Sequence, residues 1–201
     1  EDEYGDDLVV KSIRTSTGLE IGYKIQWKQW IHIELSTTLP ETSIAPMFDG
    51  VQWAGTRFWR SGAVALQYLE QHVTAQTRLL ELGCGLGVPG MLLHKSTGCH
   101  VTLTDMPDLL TQLQSNVSAN FIPSNDDDDD DDTGIQVRAL DWTNVDENEL
   151  HLFDVIVNCD CIFEPLYGES WKDLLQIQVR ILQVNLKALV VTVCERRNMD
   201  G

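Results

Sequence analysis

The sequence of 201 residues predicts one α/β domain with a parallel sheet, preceded by a small antiparallel element. From residue 78 onward, short apolar stretches alternate with amphipathic helical stretches. The apolar stretches are continuous rather than alternating, which is typical of parallel strands that helices cover on both faces. A glycine-rich segment joins the first of these strands to the next helix, where such sheets often bind ligands.

Residues 1–50 are expected to form an acidic amino-terminal segment and a β-hairpin extension. Residues 19–27 and 31–35 alternate apolar and polar side chains with the period of two that half-buried strands require. Residues 9–13 precede the turn-like Ser16-Thr17-Gly18 and complete the antiparallel element.

Residues 51–201 are expected to form the main domain. Its first helix is predicted to begin with Ser61 as a cap, and its last to bury the apolar stripe Leu174, Leu175, Val179 and Leu182. The predicted helices cover residues 61–72, 89–96, 107–121 and 171–186. The predicted strands cover residues 79–82, 101–104, 135–139, 153–159 and 188–194.

The chain is strongly acidic. Its 31 acidic and 14 basic residues give a formal charge of −17, which argues against binding to nucleic acid or to an anionic membrane and favours a basic partner. Seven aspartates form one run at residues 126–132, and further acidic residues crowd the amino end. Because like charges repel and bury no apolar area, we expect both segments to be solvated and mobile.

The five cysteines are odd in number and lack the two-residue separation of zinc sites and redox motifs. The five histidines show no ligand spacing either, so no metal site is expected. No stretch approaches the ~18 apolar residues of a membrane span, and the first residues do not resemble a secretory signal. We therefore expect reduced thiols in an intracellular protein, located in the cytoplasm or the nucleus.

The glycine-rich segment at residues 81–90 is the first candidate binding site. Glycines let a ligand approach the backbone, and the amino terminus of the next helix offers unpaired N–H groups. The segment satisfies the dinucleotide spacing G-x-G-x-x-G, so a nicotinamide cofactor is one alternative. However, Gly83, Gly85 and Gly87 follow the strand directly, and the acidic Glu81 suits an ammonium group better than a phosphate. S-adenosylmethionine, whose methionine end carries an amine and a carboxylate, fits this loop.

Asp105 closes the second strand of the parallel sheet and is predicted to hold a ribose. Its carboxylate can accept hydrogen bonds from both ribose hydroxyls, whichever cofactor is bound. Met106, next to it, is expected to line an adenine pocket. The alternative role for Asp105 is a helix cap ahead of Pro107.

Five motifs of the main domain are GTRFWRS at 55–61, LELGCGLGVPG at 80–90, VTLTD at 101–105, LDW at 140–142 and FDVIVNCDCIF at 153–163. Together they resemble the seven-strand protein lysine methyltransferases, in particular the methyltransferase-like 21 branch. The resemblance covers roughly residues 50 to 201. It implies a Rossmann-like seven-strand fold that binds S-adenosylmethionine. Two further strands belong to this fold, so its carboxy-terminal strands are expected to be missing from the chain.

The resemblance also implies roles for individual residues. Gly83, Gly85 and Gly87 are expected to hold the methionine part of the cofactor with Glu81 at its edge, while Asp105 holds the ribose.

The remaining implied roles concern aromatic residues and one further acid. Trp59 is expected beside the cofactor and Trp142 against the adenine, although each taken alone is also explained as a core aromatic. Asp160, after the fourth strand, is expected to face the methyl group and the incoming lysine. The family commonly has tyrosine where this chain has Phe163, so a hydroxyl group that orients the amine is missing unless Tyr167 supplies it.

These observations predict an S-adenosylmethionine-dependent methyltransferase that acts on a lysine of a protein substrate. The resemblance suggests a basic substrate such as a translation factor or a chaperone, and we expect the enzyme to be a monomer. Two alternatives stay open: a nicotinamide-dependent oxidoreductase, and a catalytically silent interaction module with the same fold.

Overall fold

The structure is a computed structural model that describes residues 2–3, 8–18, 20–34, 55, 57–121, 134–145 and 150–196. The aspartate run at 126–132 lies outside the described residues, as do Leu19 and Leu35 of the predicted amino-terminal strands. Two sheets organise the described part of the chain, one antiparallel and one parallel.

The amino-terminal region forms a four-stranded antiparallel sheet, which confirms the predicted hairpin extension. Its strands are β1 (Asp2–Glu3), β2 (Val9–Arg14), β3 (Glu20–Trp27) and β4 (Gln29–Glu34), and they pair in this order. The period-two pattern buries Tyr23, Ile25, Trp27, Ile31 and Ile33. The expectation that the whole amino end is mobile was wrong, because β1 pairs with β2.

The main sheet has five parallel strands, as the continuous apolar stretches predicted. They are β5 (Arg78–Leu82), β6 (His100–Asp105), β7 (Ile135–Ala139), β8 (Val155–Cys159) and β9 (Leu189–Val193). Their order across the sheet is β7-β6-β5-β8-β9. The chain thus adds β6 and β7 on one side of β5, and then β8 and β9 on the other side. Ligands bind at the carboxyl ends of the strands where such a reversal occurs, here beside β5.

Helices flank these strands, and all of those described except the short helix Glu164–Tyr167 lie at the predicted places. They are α1 (Arg60–Leu69), α2 (Val88–Thr97), α3 (Leu110–Asn120), α4 (Glu164–Tyr167) and α5 (Trp171–Val184), with 3₁₀ turns at Pro107–Leu109 and Gly168–Ser170. The predicted cap of α1 was wrong: Trp59 occupies the cap position, and Ser61 is buried inside the first turn. No helix in the described ranges is both long and apolar enough to cross a bilayer.

The predicted buried stripe of α5 was only partly right. Leu174 is buried, but Leu175 and Val179 are about half exposed, at 51% and 43%, and Leu182 is 37% exposed. The face that packs against the sheet instead contains Leu174, Ile177, Gln178 and Ile181. The helix carries two apolar stripes, and only its tertiary position selects which one is buried.

Three amides of α3 seal the outer edge of the amino-terminal sheet. Asn120 accepts a hydrogen bond from the His32 N–H at 2.7 Å and donates to the His32 carbonyl at 2.5 Å. Asn116 accepts from the Glu34 N–H at 3.1 Å, and Gln112 donates to the Glu34 carbonyl. Four residues along a helix span about the same distance as two residues along a strand. The amides of α3 can therefore reach backbone groups of β4 that a further strand would otherwise pair. This contact ties the extension to the main domain.

Candidate active site

A cavity of about 360 Å³ lies at the carboxyl ends of β5, β6 and β8. The turn after β5, the ends of β6 and β8, and the start of α1 contribute to it, and α4 with the first turn of α5 forms a further wall. Eight of the ten residues predicted for the site line this cavity: Trp59, Glu81, Gly83, Gly85, Asp105, Met106, Trp142 and Asp160. Gly87 and Phe163 do not line it.

The turn after β5 requires glycine for two reasons. Gly83 and Gly85 have φ angles of +62° and +53°, in the left-handed region that side chains rarely adopt. A Cβ atom on Gly83 would lie 2.7 Å from the Cys161 sulfur, and one on Gly85 would lie 2.9 Å from the Gly55 carbonyl oxygen. The backbone is therefore packed closely on one side while it borders the cavity on the other.

Gly87 has a different position. It precedes α2, and a Cβ atom on it would lie 2.6 Å from Leu113 and 2.9 Å from Leu103. Both neighbours are core side chains. Close packing against the core, together with its φ of +71°, therefore accounts for this glycine.

Asp105 is held by the turn that it faces. Its Oδ2 accepts a hydrogen bond from the Gly85 N–H and its Oδ1 accepts one from the Met106 N–H, each at 2.7 Å. Burial raises the pKa of Asp105, and these two hydrogen bonds offset part of that effect. No side chain caps the 3₁₀ turn at 107–109 or α3, so Asp105 does not act as their cap. Each oxygen keeps a second lone pair that can accept a ligand hydroxyl in the cavity.

Glu81 lines the cavity but is only 2% exposed to solvent. Its Oε2 accepts a hydrogen bond from the Gly90 N–H at 2.8 Å, in the first turn of α2. Burial raises the pKa of Glu81 to about 8; the Gly90 hydrogen bond opposes this rise and the negative charge of Asp105 adds to it. At neutral pH this carboxyl group is therefore mostly protonated, and a cation beside it would favour ionisation.

Asp160 directly follows β8 and is 4% exposed. It has a φ of +54°, an uncommon conformation for a residue other than glycine. Its Oδ2 accepts a hydrogen bond from the Ser61 hydroxyl at 2.6 Å, and its Oδ1 accepts one from the Glu195 N–H at 2.8 Å. Two elements distant in sequence therefore fix this carboxylate at the cavity wall.

Aromatic and apolar side chains complete the lining. Trp59 lies at the start of α1, and the Trp142 ring lies 3.2 Å from the Cβ position of Gly83. Met106 is 51% exposed at the end of β6. Phe163 precedes α4, and Tyr167, one helical turn later, lines the cavity instead.

The sequence interpretation named Tyr167 only as an alternative source of a hydroxyl group, and it did not place Ser170 or Asp173 at the site. Tyr167, Ser170 and Asp173 line the cavity at three-residue spacing, which is a helical periodicity that could have identified them. It also missed Arg57 and assigned Ser61 to a cap rather than to Asp160. Among the residues that the structure describes, no group of three or more His, Cys, Asp and Glu side chains is arranged to hold a metal ion.

A sequence model of the family described as "Lysine methyltransferase" matches residues 41–201. The chain is 38% identical over 122 residues to "Secreted RxLR effector protein 48" of Plasmopara viticola, covering 57% of this chain and 61% of that protein. It is 37% identical over 86 residues to "EEF1A lysine methyltransferase 3" of Xenopus tropicalis, covering 43% and 34%. It is 36% identical over 125 residues to "Putative methyltransferase-like protein 21E pseudogene" of Homo sapiens, covering 58% and 43%.

The chain thus spans less than two thirds of the length of these relatives. Among solved structures it is similar to a putative Zn-dependent alcohol dehydrogenase from Rhodobacter sphaeroides, with a TM-score of 0.53 and 13% identity. That match covers 76% of this chain and 56% of the other. At this identity the likeness concerns the fold alone.

Proposed function

Because the chain belongs to the lysine methyltransferase family, we propose that it is an S-adenosylmethionine-dependent enzyme that transfers a methyl group to a lysine side chain of a protein. The family match confirms the resemblance seen in the sequence motifs, and the 21E relative supports the branch. The observation that carries the proposal is that the glycine turn, Asp105 and Asp160 border one cavity at the carboxyl ends of β5, β6 and β8.

The residues present fit the methyl donor. Gly83 and Gly85 border the cavity, and a Cβ atom at either position would clash with neighbouring protein atoms and strain the turn. Asp105 offers free lone pairs to a ribose, and Glu81 is a carboxyl group that the ammonium of a methionine end would ionise. When bound, S-adenosylmethionine supplies a methyl group on a positively charged sulfur, which is already activated for transfer.

Three further residues complete the proposed cofactor site. We assign Trp142 and Met106 to the adenine, because both line the cavity: Met106 directly follows Asp105, and the Trp142 ring lies beside Gly83. Trp59 is assigned to a position beside the cofactor at the start of α1. Gly87 supports this site indirectly through the packing of α2.

The incoming lysine must attack as a neutral amine, although its pKa in water is ~10.4. The apolar part of the cavity surface, including Trp59 and Leu166, favours the neutral form because it solvates an ammonium poorly. We assign Asp160 to hydrogen bonding with the amine, which orients the nitrogen lone pair toward the methyl group. Tyr167, rather than Phe163, provides a hydroxyl group at the cavity wall. Most of the rate enhancement then comes from positioning.

The proposed substrate is a basic protein, since the chain carries a net charge of −17. Elongation factor 1A is the first candidate to test, because a relative is named as a lysine methyltransferase of EEF1A. We place the enzyme in a reducing compartment, the cytoplasm or the nucleus, because its five cysteines are free thiols.

Calorimetric titration with S-adenosylhomocysteine and, separately, with NAD tests the cofactor assignment. We expect saturable binding of the former and none of the latter. Asp105→Ala should weaken binding on the order of 100-fold, because two charge-assisted hydrogen bonds to hydroxyls are lost. Asp108→Ala is the matched control, an exposed acid three residues away that does not line the cavity. Binding of NAD alone would contradict the proposal and favour the oxidoreductase.

A further inference from the structure

Ser61 is a buried polar residue whose role the sequence pattern did not indicate. It is 3% exposed, and its hydroxyl group lies 2.6 Å from Oδ2 of Asp160, to which it donates a hydrogen bond. The two residues are 99 positions apart. Ser61 was expected to cap α1, but Trp59 occupies the cap position and the Ser61 hydroxyl bonds Asp160 instead.

We propose that Ser61 is a positioning residue for methyl transfer, which holds the carboxylate of Asp160 in the orientation that the incoming amine requires. This inference rests on the proposed function, because it takes Asp160 as the group that contacts the amine.

Donors from two different parts of the chain hold the carboxylate of Asp160. The side chain leaves a backbone with φ +54°, directly after the last residue of β8. The Glu195 N–H, in the segment after β9, fixes Oδ1 at 2.8 Å. The second donor, from α1 on another side, fixes Oδ2 and so sets the plane of the carboxylate.

The placement of Ser61 also couples two parts of the cavity. Trp59 and Gly62 line the cavity on either side of Ser61 in sequence. The hydrogen bond from Ser61 to Asp160 therefore fixes the distance between Trp59, at the start of α1, and the carboxylate. Displacement of a catalytic group by about 1 Å can cost on the order of 100-fold in rate, so such a tie has a large kinetic consequence.

A purely structural role for this hydrogen bond makes different predictions. A buried bond between α1 and the end of β8 stabilises the fold, so its loss would lower the free energy of unfolding and reduce the fraction of active protein. It would not change the turnover of the molecules that remain folded. A positioning role lowers kcat in fully folded protein and leaves cofactor binding intact.

The test uses the full-length protein with the variants Ser61→Ala and Ser61→Cys. The cysteine keeps the size of the side chain and a weak donor, so it preserves folding where alanine destabilises. Ser96→Ala is the matched control, since it removes a serine hydroxyl that bonds a carbonyl in α2, away from the cavity. We expect Ser61→Ala to lower kcat by roughly 10- to 100-fold with unchanged affinity for S-adenosylhomocysteine, and Ser61→Cys to be intermediate. Ser96→Ala should retain wild-type kcat.

The second measurement is a double-mutant cycle with Asp160→Asn. If Ser61 acts through Asp160, adding Ser61→Ala to Asp160→Asn should leave the residual kcat unchanged. Fully additive losses, or wild-type kcat in folded Ser61→Ala, would overturn the inference while leaving the proposed function standing. A wild-type enzyme that binds S-adenosylhomocysteine but methylates no protein would overturn the proposed function, and this inference with it.

Discussion

The two aspartates of the cavity, Asp105 and Asp160, are held in different ways. The partners of Asp105 are backbone N–H groups of Gly85 and Met106, which belong to the same strand-turn-helix-strand unit. The partners of Asp160 are 99 and 35 residues away, in α1 and after β9. The glycine turn and Asp105, which we assign to the cofactor, thus form one local motif, whereas Asp160, which we assign to the lysine, is held by tertiary structure.

The sharpest test of this division is Asp160→Asn, for which we expect the largest effect. Methyl transfer should fall on the order of 1,000-fold, because the amine loses a preorganised charged acceptor. Affinity for S-adenosylhomocysteine should stay within about twofold, since the glycine turn and Asp105 are untouched. Single-turnover methylation assays together with calorimetry separate the two quantities.

Asp105→Ala is the counterpart of this variant, because it is expected to weaken S-adenosylhomocysteine binding. Equal loss of cofactor binding in both variants would show that the cavity does not divide into a cofactor half and a lysine half.

The same contrast explains which features the sequence could predict. The strand limits at residues 135–139, the glycine turn and Asp105 all follow from local apolar pattern and turn chemistry. The buried face of α5 and the role of Ser61 do not, because both depend on what packs against a helix. Ile177 and Leu175 are equally apolar, yet only the sheet decides that Ile177 is buried and Leu175 is exposed. Local rules therefore identify the glycine turn and Asp105, and they fail where the role of a side chain depends on tertiary packing.

Among the residues that we assign to the cofactor, Glu81 is expected to lower the stability of the fold as pH rises. Because burial raises its pKa to about 8, the unfolded state loses this proton from about pH 4.5 upward while the folded state keeps it. Stability should therefore fall as pH rises from 4.5 to 8. Glu81→Gln keeps an acceptor for the Gly90 N–H and removes this penalty. We expect the difference in unfolding free energy between Glu81→Gln and the wild type to grow by roughly 3 kcal/mol, in favour of the variant, between pH 5 and pH 8.

Urea unfolding of both proteins at the two pH values measures this difference, and Glu169→Gln, an exposed acid, is the control. The same variant should bind S-adenosylhomocysteine more weakly, because an amide cannot ionise beside an ammonium group. A stability gain that does not depend on pH would mean that Glu81 is ionised in the folded protein.

The smallest expected effect distinguishes backbone strain in the glycine turn from close packing. Gly85 and Gly18 both have positive φ, +53° and +87°, so alanine at either position should cost about 1 kcal/mol in backbone strain. Only at Gly85 would the new Cβ atom meet another group, the Gly55 carbonyl oxygen at 2.9 Å; nothing lies within 4 Å of it at Gly18. We therefore expect thermal unfolding to show a modest loss in Gly18→Ala and a larger loss in Gly85→Ala. Calorimetry should show weaker S-adenosylhomocysteine binding, by about tenfold, only in Gly85→Ala, because the turn must shift into the cavity to relieve the contact.

Unchanged binding in Gly85→Ala would mean that the turn relaxes away from the cavity, and that the cofactor does not depend on its backbone position.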